Sequence, residues 1–185
     1  MKYLLTIFFA FIFLSCQKES SFIDLPLVSP DGEAPVIGGI QQTFENGQPG
    51  QKFGNPSERN QLYDNISELG DNRPWVFPNP VYNRGSIGFQ LNKTTFVRIY
   101  VVPAKASNSF KQIISCNSSF NLHDGFAIDT IVNTKLTKGA HFYFLDIFDK
   151  NQTRSFHYPE GLYRVYLRTE SNLYWNDILV DIDGF

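Results

Sequence analysis

The run Glu160-Gly161-Leu162-Tyr163-Arg164-Val165-Tyr166-Leu167-Arg168-Thr169 alternates with a period of two. Tyr163, Val165 and Leu167 fall on one side; Arg164, Tyr166 and Arg168 fall on the other. That period belongs to a strand, because successive side chains of extended chain point to opposite faces. Pro159-Glu160-Gly161 before it supplies a turn. Upstream, 95–102 repeats the pattern, with Val97, Ile99 and Val101 facing one way and Arg98 the other. Further strands are expected at 75–77, 86–91, 126–132, 141–148 and 173–182. Breakers separate them: Asn92-Lys93, Pro103, Asp124-Gly125, Lys138-Gly139 and Asp149-Lys150-Asn151. No long helical period and no long internal repeat occurs. Seven short strands in about 110 residues match the scale of a small antiparallel β-sandwich. The expected fold class is all-β, with the sandwich over 74–185.

Composition narrows the function. The chain has 185 residues, 16 basic and 18 acidic, for a formal net charge of −2. A near-balanced charge argues against a surface built for nucleic acid. Two cysteines make neither a disulfide-dense scaffold nor a zinc site of cysteines alone. High aromatic content (16%) with only 18% charged residues belongs to a chain that folds.

The first fifteen residues read MKYLLTIFFAFIFLS. Lys2 precedes an apolar run from Leu4 to Leu14 broken only by Thr6, the layout of a secretory signal peptide over 1–15. The run is shorter than the ~20 apolar residues that span a bilayer. It ends in Leu14-Ser15-Cys16 and switches at once to Gln17-Lys18-Glu19-Ser20. Leu-Ser-Cys at this place resembles the lipobox of bacterial lipoproteins. The resemblance implies cleavage before Cys16 and acylation of its thiol and new amine. Cysteine suits the role because its thiolate is a good nucleophile. Several acyl chains together anchor stably where one does not. An ordinary signal peptide with a chance cysteine is the alternative. Cys-Gln-Lys-Glu also resembles the export signal that sends some Bacteroidetes lipoproteins to the outer face of the outer membrane. Surface display and periplasm-facing attachment both remain open. Cys116 is then the one thiol left for the fold, expected as a small buried hydrophobe.

The segment 16–73 reads as a lipid-anchored linker or irregular arm. Between 17 and 73 lie Pro26, Pro30, Pro35, Pro49 and Pro56, and seven of the thirteen glycines. Only Phe22, Phe44, Phe53 and Tyr63 are aromatic there. Such a composition buries too little apolar surface to offset chain entropy. A short helix capped by Ser57 is the one exception. The alternative is an arm packed along the domain through Phe44, Phe53 and Tyr63.

Phe77-Pro78-Asn79-Pro80-Val81, Ser86-Ile87-Gly88-Phe89-Gln90-Leu91 and Val97-Arg98-Ile99-Tyr100 resemble the opening of Ig-like domains at the ends of secreted Bacteroidetes proteins. Sorting domains of type IX secretion are among these. Asp149-Lys150-Asn151 and Gly161-Leu162-Tyr163 resemble their later turn and Gly-x-Tyr strand, and flagellar hook-capping Ig-like modules end similarly. The resemblance implies an Ig-like sandwich over about 76–182. Val101-Val102-Pro103-Ala104 replaces the usual Leu-Gly turn, and 181–185 lacks a basic sorting tail. The fold is carried over and the sorting role is not.

No catalytic constellation emerges. His123, His141 and His157 have no metal-ligand spacing. No Gly-x-Ser-x-Gly elbow occurs, and Gly38-Gly39 lacks the strand-to-helix frame of a phosphate loop. Asp146, Asp149 and Asn151, or Asp181 and Asp183, are read as turn and edge polarity rather than a calcium loop. No enzyme, metal or cofactor is expected. The aromatics Phe142, Tyr143, Phe144, Tyr158, Tyr163, Tyr166, Tyr174 and Trp175 suggest a binding surface, with core packing for about half of them. The candidate face is Arg164, Tyr166 and Arg168 with Tyr174 and Trp175. Asp129-Thr130-Ile131 matches the O-glycosylation pattern of Bacteroidetes exported proteins, with Thr130 as acceptor. The expected function is a lipid-anchored envelope protein that binds or assembles, an accessory subunit of an outer-membrane complex. The alternative is a surface lipoprotein that binds glycan or adheres. The membrane, through Cys16, and another envelope protein or a glycan are the expected partners.

Overall fold

A computed structural model describes residues 32–56, 75–113, 127–147 and 158–181. The described chain is all-β apart from one helical turn. Its strands are β1 (Val36–Ile37), β2 (Gly39–Thr43), β3 (Pro49–Gly54), β4 (Trp75–Phe77), β5 (Arg84–Leu91), β6 (Thr95–Pro103) and β7 (Lys105–Ala106). After the turn α1 (Asn108–Lys111) come β8 (Asp129–Leu136), β9 (Gly139–Asp146), β10 (Gly161–Arg168) and β11 (Leu173–Val180). One sheet runs β11-β10-β6-β8 and another β4-β5-β9, all neighbours antiparallel. β2 and β3 form an antiparallel hairpin, and β1 pairs in parallel with β7.

The period-two segments explain the core. Val97, Ile99 and Val101 of β6, and Tyr163, Val165 and Leu167 of β10, enter one buried cluster. Ile87, Phe89 and Leu91 of β5 and Leu145 of β9 enter it from the other sheet. Burying apolar area on this scale is the main favourable term of the fold. β6 lies between β10 and β8 and is buried along nearly its whole length. That is why its sequence is so nearly continuous in apolar residues.

Two expectations change. The strand expected at 126–132 lies at Asp129–Leu136, and residue 126 is outside the described chain. β8 is an edge strand whose Asn133, Thr134 and Lys135 are exposed, so its second half carries no apolar pattern. Pairing with β6 makes it a strand, with a register shift opposite Ile99 and Tyr100.

The larger correction concerns the arm. Val36 to Gly54 is β structure, not irregular linker. Ile37, Ile40 and Phe53 join Ala104, Ala106, Phe110, Leu162 and Leu179 in a second cluster. Leu162 and Leu179 lie on the face of the four-stranded sheet opposite the main core, so the arm covers that face. Few apolar residues suffice because the sheet supplies the rest of the contact surface. Glycine permits the close approach: a β-carbon on Gly39 would lie 2.4 Å from Phe53 O, and its register partner Gly54 has φ +70°. The expected contact through Phe53 is present, whereas Phe44 is exposed. Tyr63, the helix at Ser57, Cys16, Cys116, His123, His157 and Asp183 lie outside the described residues.

Candidate functional site

Among the described residues the most exposed aromatic rings lie on β9. Phe142 and Phe144 are 65% and 60% exposed. Their neighbours His141 and Tyr143 point inward and stack on Phe89, with centroids 5.4 and 6.1 Å away. Burial holds the Tyr143 hydroxyl above its ordinary pKa. Alternation along one strand therefore sends two rings into the core side and two into solvent.

Register extends this surface across the sheet. Trp75, Gly88 and Phe142 form one row, and Phe77, Ser86 and Phe144 the next. The middle strand contributes only glycine and serine, so the aromatic rings close over it. A β-carbon on Gly88 would meet Phe142 Cε1 at 3.0 Å and Phe77 Cε1 at 3.4 Å. Beyond the second row Arg84 Nε donates to Asp146 Oδ1 at 2.5 Å, and the Arg84 guanidinium lies 4.8 Å from the Phe144 ring centre. The result is an aromatic surface ending in a neutral ion pair. An exposed apolar patch framed by polar groups is the usual mark of an interaction surface.

The face expected from sequence is largely covered. Tyr166 is 2% exposed, stacked on Tyr100 at 5.1 Å and clustered with Val102 and Leu173. Tyr174 is 4% exposed and points into the main core, opposite Leu167. Both are corrections: Tyr166 is packed among Tyr100, Val102 and Leu173 on the outer side of the four-stranded sheet, and Tyr174 belongs to its inner side. Arg164 is mostly buried, donating to Asp177 Oδ1 at 2.6 Å and Oδ2 at 2.9 Å, with its guanidinium 5.3 Å from the Trp175 ring. Burial opposes the Arg164 charge, but the bonds and charge of Asp177 outweigh it and raise the pKa. Trp175 is half-buried and, with Gly39, Gln41, Pro56 and Asp177, lines a small pocket where the arm meets β11. Of the expected face only Arg168 is exposed.

Other expectations find their places. Thr130 is exposed on β8, while the neighbouring Asp129 accepts a hydrogen bond from the buried Tyr158 hydroxyl. His141 Nε2 donates to Thr137 O at 2.8 Å. Asp146 is held by Arg84, and Asp181 is buried. Among the described residues no group of three His, Cys, Asp or Glu converges to hold a metal ion. No helix among them is long and apolar enough to cross a membrane. Reading the strand parity of 141–148 as it was read for β10 would have put Phe142 and Phe144 together on one face. Gly88 and Arg84 carry no signal that sequence alone exposes. Comparison with known protein families, curated proteins and solved structures finds no match for this chain.

Proposed function

We propose that the protein is a lipid-anchored component of a bacterial cell envelope, outer-membrane attached through Cys16, whose Ig-like β-sandwich is a non-catalytic binding or assembly module. The observation that carries the binding role is the solvent-facing Phe142–Phe144 pair on β9, beside the Arg84–Asp146 ion pair. The sandwich reading draws support from two sheets that share one buried cluster. The anchor draws its support from Leu14-Ser15-Cys16 and the polar switch after it. The activity is then an association with another envelope protein, as an accessory subunit. A second reading, glycan binding, is favoured by the exposed rings beside a paired donor and acceptor, which suit the apolar face and hydroxyls of a sugar.

Two measurements test this. Cys16→Ala is expected to move the protein from membrane to soluble fraction, and unchanged fractionation overturns the anchor. Phe142→Ser with Phe144→Ser is expected to fold normally yet abolish partner capture from native membranes or binding to a glycan array. Retention of every association by that variant overturns the binding face.

A further inference from the structure

Sheet edges expose unpaired backbone groups and are normally paired, covered or charged. Among the described residues the two large sheets have four edges: β11, β8, β4 and β9. At β11, Val81 N–H donates to Leu179 O at 2.8 Å, and Asp181 N–H donates to Val81 O at 3.1 Å. Beside β4, Thr43 Oγ1 donates to Val76 O at 2.8 Å. β8 carries exposed Lys135 and a register shift. Among the described residues β9 has none of these devices along 140–144, which reads Ala-His-Phe-Tyr-Phe.

Backbone parity shows what β9 offers. Ile147 N–H donates to Asn83 O at 3.1 Å, continuing the β5–β9 register. Odd-numbered residues of β9 therefore turn their backbone bonds toward β5, and Ala140, Phe142 and Phe144 turn theirs to the open edge. The same three residues carry their side chains on the exposed aromatic face.

We propose that β9 pairs antiparallel with β9 of a second copy of this chain, joining two three-stranded sheets into one of six. This rests on the reading of the β9 face as a binding surface and names its partner. Of the registers that parity allows, the one centred on Phe142 is complementary in charge and size. It sets Phe142 against its own copy on the two-fold axis and Ala140 against the partner subunit's Phe144. Lys138, exposed at the start of the strand, then faces the partner subunit's Asp146, extending the Arg84–Asp146 pair into a three-charge group. A two-fold contact of this kind closes on itself and stops at the dimer.

The test is the mass of the full-length protein in detergent, by analytical ultracentrifugation up to about 100 µM. A dimer is expected. Phe142→Lys places two ammonium groups on the axis and is expected to weaken the dimer at least tenfold while leaving the circular dichroism spectrum unchanged. Lys138→Glu should weaken it several-fold, and Lys111→Glu, on α1, should not. A monomer throughout, or a dimer indifferent to Phe142→Lys, overturns the proposal. If the protein is monomeric and Phe142→Lys still abolishes capture of an envelope protein or a glycan, self-pairing fails and the binding face stands. If Phe142→Lys changes neither mass nor any association, both readings fail.

Discussion

Thr43 and Asn79 exchange both backbone hydrogen bonds: Thr43 N–H donates to Asn79 O at 3.0 Å, and Asn79 N–H donates to Thr43 O at 2.9 Å. The Asn79 side chain extends the junction. Its Nδ2 donates to Gln41 O at 2.9 Å and Asp177 O at 3.0 Å, and its Oδ1 accepts from Leu179 N–H at 3.1 Å. Asn79 is buried between cis peptides that precede Pro78 and Pro80, and it ties the arm, β11 and the approach to β5 together. Asn79→Ala leaves several buried groups unsatisfied and is expected to cost about 3 kcal/mol in urea unfolding. Asn79→Asp keeps the acceptor but aims a carboxylate at two carbonyls. It should be destabilising at neutral pH and partly relieved in acid, where the protonated group can donate.

The arm should unfold with the domain. Ile40 is buried in the cluster that includes Leu162 and Leu179. Ile40→Ala is expected to lower stability by about 3 kcal/mol. Unfolding should remain one transition by fluorescence and by circular dichroism. Two separated transitions would show an arm independent of the sheets.

Arg164 and Asp177 form a bidentate pair with little solvent access. Asp177→Ala strands a mostly buried guanidinium and is expected to cost about 3 kcal/mol. Arg164→Met with Asp177→Leu removes both charges and should cost less than the two single losses combined. A double-mutant cycle measures the difference.

Tyr158 is buried, and its hydroxyl donates to Asp129. Burial, then that hydrogen bond and the carboxylate charge, raise its pKa above the ordinary 10.0. The folded protein thus keeps a proton that the unfolded chain releases above pH 10. The stability linked to Tyr158 is complete below that value and falls above it by about 1.4 kcal/mol per pH unit. Tyr158→Phe removes this component. Urea unfolding from pH 9 to 11.5 should show a shallower decline for the variant than for the parent.

The fold was legible wherever one side of a strand faces the core. The alternations at 95–102 and 162–169 located β6 and β10 to within a residue. The Pro78-Asn79-Pro80 turn was visible, but not the five hydrogen bonds of Asn79, which depend on residues 41, 43, 177 and 179, all distant in sequence. The arm was misread because Ile37, Ile40 and Phe53 make a poor core by themselves; Leu162 and Leu179 complete it. Tyr166 was assigned to solvent because parity tells which side of a sheet a residue is on, not what lies above that side. The same rule identifies Phe142 and Phe144 as outward-facing, and there the sheet face is open.

The position of Asn79 also sets an order of assembly. Its side chain bonds residues 98 and 100 positions further along, so the junction needs β11 in place. A chain emerging from the ribosome, amino end first, has its arm segment early but no finished sheet on which to lay it. Asn79, which holds Thr43 and Gln41, completes its own bonds only when residues 177–179 arrive. Contacts so distant in sequence form slowly. The docked arm is therefore a late event, and its protection from hydrogen exchange would time the completion of the whole domain.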